Sequence, residues 1–282
     1  MGVAAELNYL VAQDAPVRTY AYDPPDGGPR FNATLRPHEV LVEDARAVAA
    51  GPDWLHGAGF TLQRQRSSVG DFWDERQLRR HAFGEAEELL RGLTGAPHAR
   101  VFDHTLRRRA ARPGQRAPLD GVGGSFAAVR EPVGRVHVDY TPWSAPLRLR
   151  QVLGDRPAEQ VLGGRWLILG LWRPLLEQPL RDAPLALADA RSVRAAELVP
   201  NDLIYRERRG QTYAVVHSPG HRWYWHPEQT RDEVAVFVHY DSLRASQPCT
   251  GACPHSAFEH PATPADAEPR QSLELRAFVW FD

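Results

Sequence analysis

The chain has 282 residues, is 43% hydrophobic and carries a formal net charge of −1, enough length for a sizeable core and no charge excess to suit a polyanion. Its 34 basic side chains are all arginine. That excludes a Schiff-base or pyridoxal-phosphate lysine and a P-loop Gly-Lys-Ser/Thr, and leaves arginine to hold any anionic cosubstrate.

From the N-terminus, MGVAAELNYLVAQD has neither the basic flank nor the apolar stretch of a signal peptide, so the cytoplasm is the expected compartment. Short strand-like runs follow at Leu7–Val11, Thr19–Tyr22 and Glu39–Glu43. Residues 71–93 (DFWDERQLRRHAFGEAEELLRGL) have apolar residues near helical spacing, with Gly95 just past the end, and predict a helix. Arg100–His104 reads as a strand, and the basic, Gly/Pro-rich stretch Arg107–Gly124 as an exposed, solvated loop.

From residue 133 the rhythm changes. Strand-like runs follow at 134–140, 165–172, 185–189, 202–207, 211–217, 222–226, 233–240 and 272–281, with one helix near Ala145–Leu153 and a tight hairpin connection at SPGH (218–221). Seven or eight short strands argue for a sandwich or barrel: mainly β with flanking helices. We expect one domain over 1–282, its N-terminal elaboration spanning 1–132 and its β core 133–282. The most apolar run, Trp166–Trp172 (WLILGLW), is far shorter than the ~20 residues that cross a bilayer. Cys249 and Cys253 read as two reduced thiols in a loop.

The residues that carry chemistry begin with GRVHVDYTP. In a strand, His137 and Asp139 point to the same side, and they supply two of the three ligands of a 2-His-1-carboxylate iron site. The second histidine has several candidates among the 12 in the chain. His255, just before the last strand, is favoured because Arg270-Gln271-Ser272 follows it; His221 is the reserve. His226 and His239 read as surface or core histidines. Arg270 and Ser272 share one strand face, where a guanidinium and a hydroxyl suit the distal carboxylate of a cosubstrate; Arg276 is the reserve for Arg270. Trp172, Arg173, Tyr205 and Tyr213 are candidates for the substrate pocket, and in Trp223-Tyr224-Trp225 alternation sets the tyrosine opposite the tryptophans.

This order of H-x-D, strands, histidine and Arg-x-Ser resembles that of iron(II)/2-oxoglutarate oxygenases with a double-stranded β-helix, or jelly roll. More narrowly, the chain resembles the CmcJ/AsaB-type hydroxylase/desaturase family. The likeness runs through VFDHTLRR (101–108), VHVDYTP (136–142), LGLWRPL (169–175), LALADARSV (185–193), DLIYRERRGQTYAV (202–215), HRWYWHPEQTRDEVAVFVHYDS (221–242), PHSAFEHP (254–261) and RQSLELRAFVWF (270–281). The chain departs from the usual pattern at 243–254, where two cysteines precede His255.

The resemblance implies that His137, Asp139 and His255 bind Fe(II), and that Arg270 with Ser272 holds 2-oxoglutarate. It implies a dioxygen-using hydroxylase or desaturase of a small molecule in natural-product metabolism; the charge balance and the short apolar run predict no nucleic-acid or membrane partner, and an oligomer is allowed. Two other classes fit a jelly roll: a metal-dependent isomerase or hydrolase, and an accessory protein of another biosynthetic enzyme.

Overall fold

Every residue of Trp166–Pro174 is buried. A strand apolar on both faces needs a layer on each side, and this governs the architecture. The computed structural model describes residues 2–48, 51–109 and 130–282. In chain order the strands are β1 (Val3–Leu10), β2 (Val17–Tyr20), β3 (Leu35–Asp44), β4 (Phe60–Arg64), β5 (His98–Arg108), β6 (His137–Val138), β7 (Trp166–Pro174), β8 (Leu185–Ala188), β9 (Leu198–Ile204), β10 (Arg209–Val215), β11 (Trp223–Trp225), β12 (Glu233–Asp241), β13 (His255–Ala257) and β14 (Gln271–Trp280). The helices are α1 (Gly51–Ala58), α2 (Glu75–Gln77), α3 (Phe83–Thr94), α4 (Ser144–Leu153) and α5 (Asp155–Leu162).

The smaller sheet runs β4-β12-β7-β14-β5 and the larger β1-β3-β11-β8-β13-β6-β10-β9-β2. Within them, β12-β7-β14-β5 and β11-β8-β13-β6 form the two layers of a jelly roll. Trp172, Ala235 and Phe237 from the first layer share one apolar cluster with Leu185, Leu187 and Tyr224 from the second and with Cys253, just before β13.

On its outer face the smaller sheet turns Leu167, Leu169, Leu171, Val234, Val236, Leu273 and Leu275 against Leu78, Ala82, Ala86 and Leu90. Those four helical positions recur every fourth residue, the spacing of a single apolar stripe. Truncating such a buried leucine to alanine costs about 2–5 kcal/mol.

That helix differs from the expected one at its start. Residues 71–73 are outside it, and the Asp74 side chain caps it by accepting from the Arg76 amide. A π-turn at Leu78–Ala82 joins α2 to α3. The C-terminal end falls where expected, with Gly95 at φ 70°, a left-handed cap that suits a residue without Cβ.

Four other expectations are corrected. β5 runs on to Arg108, so Arg107 is a buried strand residue and not part of a solvated loop; positions 110–124 of that loop lie outside the described residues. The turn at 218–221 is present, but β10 and β11 on either side of it are not neighbours in the sheet, so it is no hairpin. Strands β1–β5, all before residue 132, enter both sheets, so the β core does not begin at 133. Finally, α1, β4, α5 and β13 are elements beyond those the sequence predicts. The alternation in β11 does hold: Trp223 and Trp225 join one cluster and Tyr224 another. No described helix is long and apolar enough to cross a membrane.

Candidate metal centre

Strand pairing brings the two histidines together. β6 and β13 are antiparallel neighbours, and His137 and His255 are directly opposed in register. Residues opposed across a strand pair share a face, and the two rings lie 4.3 Å apart, centroid to centroid. β6 ends at Val138, so Asp139 sits in a bend just beyond the ladder, with Oδ1 3.4 Å from His137 Nε2. One ligand atom each from His137, Asp139 and His255 lie within 4.8 Å of one another.

The hydrogen bonds behind the rings fix what they offer. His137 Nδ1 lies 2.8 Å from the Arg135 carbonyl, and His255 Nδ1 lies 3.1 Å from the Cys253 carbonyl. A carbonyl only accepts, so both Nδ1 atoms carry hydrogen, and Nε2 is the nitrogen each ring has left for a metal. That is how metal-binding imidazoles are held from behind. Burial pushes His255 down to about 3, helped by the charge of His137. The ring is therefore neutral at physiological pH, as a ligand must be. The donor set, two imidazoles and a carboxylate, fits ferrous iron with positions left open.

Asp139 is held from the far side. Burial alone would raise its carboxyl, but Arg276, backed by His239 and His137, outweighs this and keeps it well below the usual carboxylate range. Arg276 Nε donates to Oδ2 at 2.7 Å, and Nη1 donates to Asp103 Oδ2 at 3.1 Å.

Arg270 lies at the entry to β14, on the smaller sheet. It is buried; Nη1 donates to the Ala183 carbonyl at 2.8 Å and Nε to Ser272 Oγ at 3.2 Å. Ala183 has φ 44°, a strained backbone for a residue with Cβ, and Asp182 beside it accepts from the Arg270 amide. The guanidinium lies 4.8 Å from the Trp172 ring centroid. Burial, with the like charge of Arg107 adding to it, pushes Arg270 down to about 9. A buried cation in that state favours an anion beside it.

The other candidates are dispersed. Arg173 turns to the outer face, where it donates to the Gln65 side chain and the Arg231 carbonyl. Tyr213 opposes Val138 and packs in the same cluster, on the face of β6 away from His137. Tyr205 follows β9 at the hairpin tip, with the Arg208 guanidinium 3.8 Å over its ring. His221 is occupied elsewhere: Nδ1 lies 3.1 Å from Tyr9 Oη and Nε2 3.0 Å from Glu197. Arg276, the reserve for Arg270, is held among Asp139, Asp103 and Glu274.

Three buried groups near the centre carry no functional signal in the sequence: Arg107, His239 and Glu274. Arg107 opposes Ser272 across β5 and β14. The strand alternation that puts Ser272 inside also puts Glu274 and Arg276 there. His239 sits where β12 shifts register between Val238 and Tyr240, and bulges of this kind re-aim side chains beside sites.

Fold and sequence together place the chain among known proteins. Residues 7–280 match a family model described as an oxidoreductase/YMDC permease-like domain. The chain is 29% identical over 273 residues to the Fe(II)/2-oxoglutarate-dependent dioxygenase nvfI of Aspergillus novofumigatus, covering 93% of this chain and 90% of that protein. It is 30% identical over 268 residues to the hydroxylase/desaturase efuI of Hormonema carpetanum, covering 91% and 87%. Among solved structures, the iron and alpha-ketoglutarate-dependent endoperoxidase NvfI matches with a TM-score of 0.82 at 25% identity, over 99% of this chain and 98% of that one. With this sheet order and near full-length similarity to enzymes so described, the chain belongs to the hydroxylase/desaturase family of jelly-roll Fe(II)/2-oxoglutarate-dependent oxygenases.

Proposed function

We propose that His137, Asp139 and His255 hold Fe(II), that Arg270 with Ser272 holds the distal carboxylate of 2-oxoglutarate, and that the enzyme hydroxylates or desaturates a small molecule of specialised metabolism. The observation that carries this reading is the convergence of two imidazoles, each tied at Nδ1 to a backbone carbonyl, on one carboxylate. Bound iron supplies dioxygen activation coupled to decarboxylation of 2-oxoglutarate to succinate, and so oxidation of a substrate C–H bond.

The protein's part is to bind, orient and shield. Arg270 presents a planar fork to a carboxylate, on a floor fixed by Trp172 and the Ala183 carbonyl. Arg276 holds one oxygen of Asp139 and leaves the other free. Trp172 and Phe237 keep water from the layer between the sheets. The proposed compartment is the cytoplasm, which suits the unpaired thiols Cys249 and Cys253.

The test compares His255→Ala with His221→Ala by bound iron and by succinate formed from 2-oxoglutarate. Loss of both readouts in the first and retention in the second are expected. Iron retained by His255→Ala and lost by His221→Ala overturns the ligand set.

A further inference from the structure

Asp139 belongs to two overlapping clusters that are both competent to hold a metal. One is His137, Asp139 and His255; the other is Asp139, His239 and Glu274. In the second, His239 Nε2 lies 3.9 Å from Asp139 Oδ2 and 3.6 Å from Glu274 Oε1. Neither ring nitrogen of His239 has a hydrogen-bond partner among the described residues, and the ring is wholly buried. A buried imidazole beside two carboxylates is a metal site by composition.

Arg276 stands against the same two oxygens. Its Nε lies 2.7 Å from Asp139 Oδ2 and 3.1 Å from Glu274 Oε1. The second contact is electrostatic and not an aligned hydrogen bond, since Glu274 Oε1 has no hydrogen-bond partner. The guanidinium thus covers both carboxylate oxygens nearest His239, while Asp139 Oδ1 faces His137. A divalent ion bound by Asp139 Oδ2, Glu274 Oε1 and His239 would compete with that N–H for its ligands and meet its positive charge at close range.

We propose that Arg276 is a positioning residue that selects between the two clusters: it withholds Asp139 Oδ2 and Glu274 from a metal and so commits Asp139 to the His137/His255 side. The inference rests on the His137/Asp139/His255 reading above, and the experiment separates failure of one from failure of the other.

The probe is Co(II) alone, titrated anaerobically into the purified chain, with bound metal counted after equilibrium dialysis and its d–d spectrum recorded. The wild-type chain is expected to bind one Co(II), and His255→Ala to lose it. Arg276→Gln is expected to bind a second equivalent or to show a changed spectrum. The deciding variant is Arg276→Gln with His255→Ala, which is expected to regain Co(II) through Asp139, Glu274 and His239, and to lose it again when Glu274→Gln is added. Arg276→Lys, which keeps the charge, is expected to behave like wild type.

A double variant that binds no Co(II), with stoichiometry still one in Arg276→Gln, overturns the role of Arg276. Full Co(II) binding by His255→Ala alone overturns the underlying ligand set instead. If Arg276→Gln does not fold, pairing it with Asp103→Asn removes one of the carboxylates the guanidinium balances, and the same expectations apply.

Discussion

Gly170 is the tightest point beneath the candidate centre, and Gly170→Ala is the sharpest test of the packing there. On β7 it lies between Phe237 of β12 and Arg276 of β14. A Cβ added at Gly170 would lie 2.6 Å from His239 Nε2 and 2.8 Å from Phe237 Cζ. Comfortable heavy-atom contacts begin near ~3.5 Å, so the shortfalls are roughly 0.9 and 0.7 Å. Both rings are wholly buried, and neither can swing into solvent. The methyl must displace them or push β7 outward against the leucines beneath the helix.

Overpacking of this kind costs about 1–3 kcal/mol, which for a chain of this length lowers Tm by about 2–5 °C. Urea unfolding gives the free energy directly. Phe237→Leu removes one colliding ring edge, so the double variant should be more stable than the two single effects summed, with a coupling of about 0.5 kcal/mol or more. A Gly170→Ala chain within about 0.5 kcal/mol of wild type, with metal binding unchanged, would refute the reasoning: it would mean that His239 and Phe237 are free to move and that the polar floor beneath Asp139 is not rigid.

Three further outcomes are expected. Arg270→Leu should raise the KM for 2-oxoglutarate by the equivalent of about 2–5 kcal/mol, since it leaves a buried carboxylate without its partner, with Arg270→Lys intermediate; a change under about three-fold would remove Arg270 from the anchoring role. Burial would raise Glu233, but hydrogen bonds from Arg46 and Thr230 dominate and hold it to about 2; its folded value is depressed, so its contribution is present above the ordinary 4.5 and is lost as pH falls from about 4.5 toward 2. Discounted for the partly exposed Arg46, that contribution is about 1–2 kcal/mol, and urea stability followed against pH should lose this segment in Glu233→Gln. Burial pushes the Cys253 thiol well up, whereas Cys249 is only half-buried, so iodoacetamide followed by mass spectrometry should mark Cys249 in the native chain and Cys253 only after unfolding.

The strands that show in the sequence are those with a long apolar face. β7, β12 and β14 are central and covered on both sides, so their burial is written as continuous or alternating apolar runs. β6 keeps only two residues of the 134–140 run that the sequence predicts, and β13, three residues long, exists because its neighbours pair with it; no local preference marks HSA as a strand. In the sequence β5 reads as ending at His104, because the basic Arg107-Arg108 looks like the start of a loop. Only its place beside β14 shows that Arg107 points inward.

The site divides along the same line. H-x-D and Arg-x-Ser are legible because both are short local patterns, although Asp139 lies just past β6 and Arg270 just before β14. Ser272-Leu273-Glu274-Leu275-Arg276-Ala277 carries equal information and misleads, because polar and apolar residues in strict alternation usually mean one face in water. Here the leucines face the helix and the polar residues face the other sheet, so closure of the roll turns a solvent-like stripe into the interior. His239 is harder still, since its direction depends on a register shift that no spacing rule supplies. Once inside, Glu274 and Asp139 are carboxylates that burial disfavours, and Arg276 is the charge that keeps both ionised. An arginine on that strand face therefore balances the two carboxylates that closure of the roll buries. Ligand motifs can be found in a sequence before the fold is known, whereas the groups that balance their charge become visible only with the order of the strands.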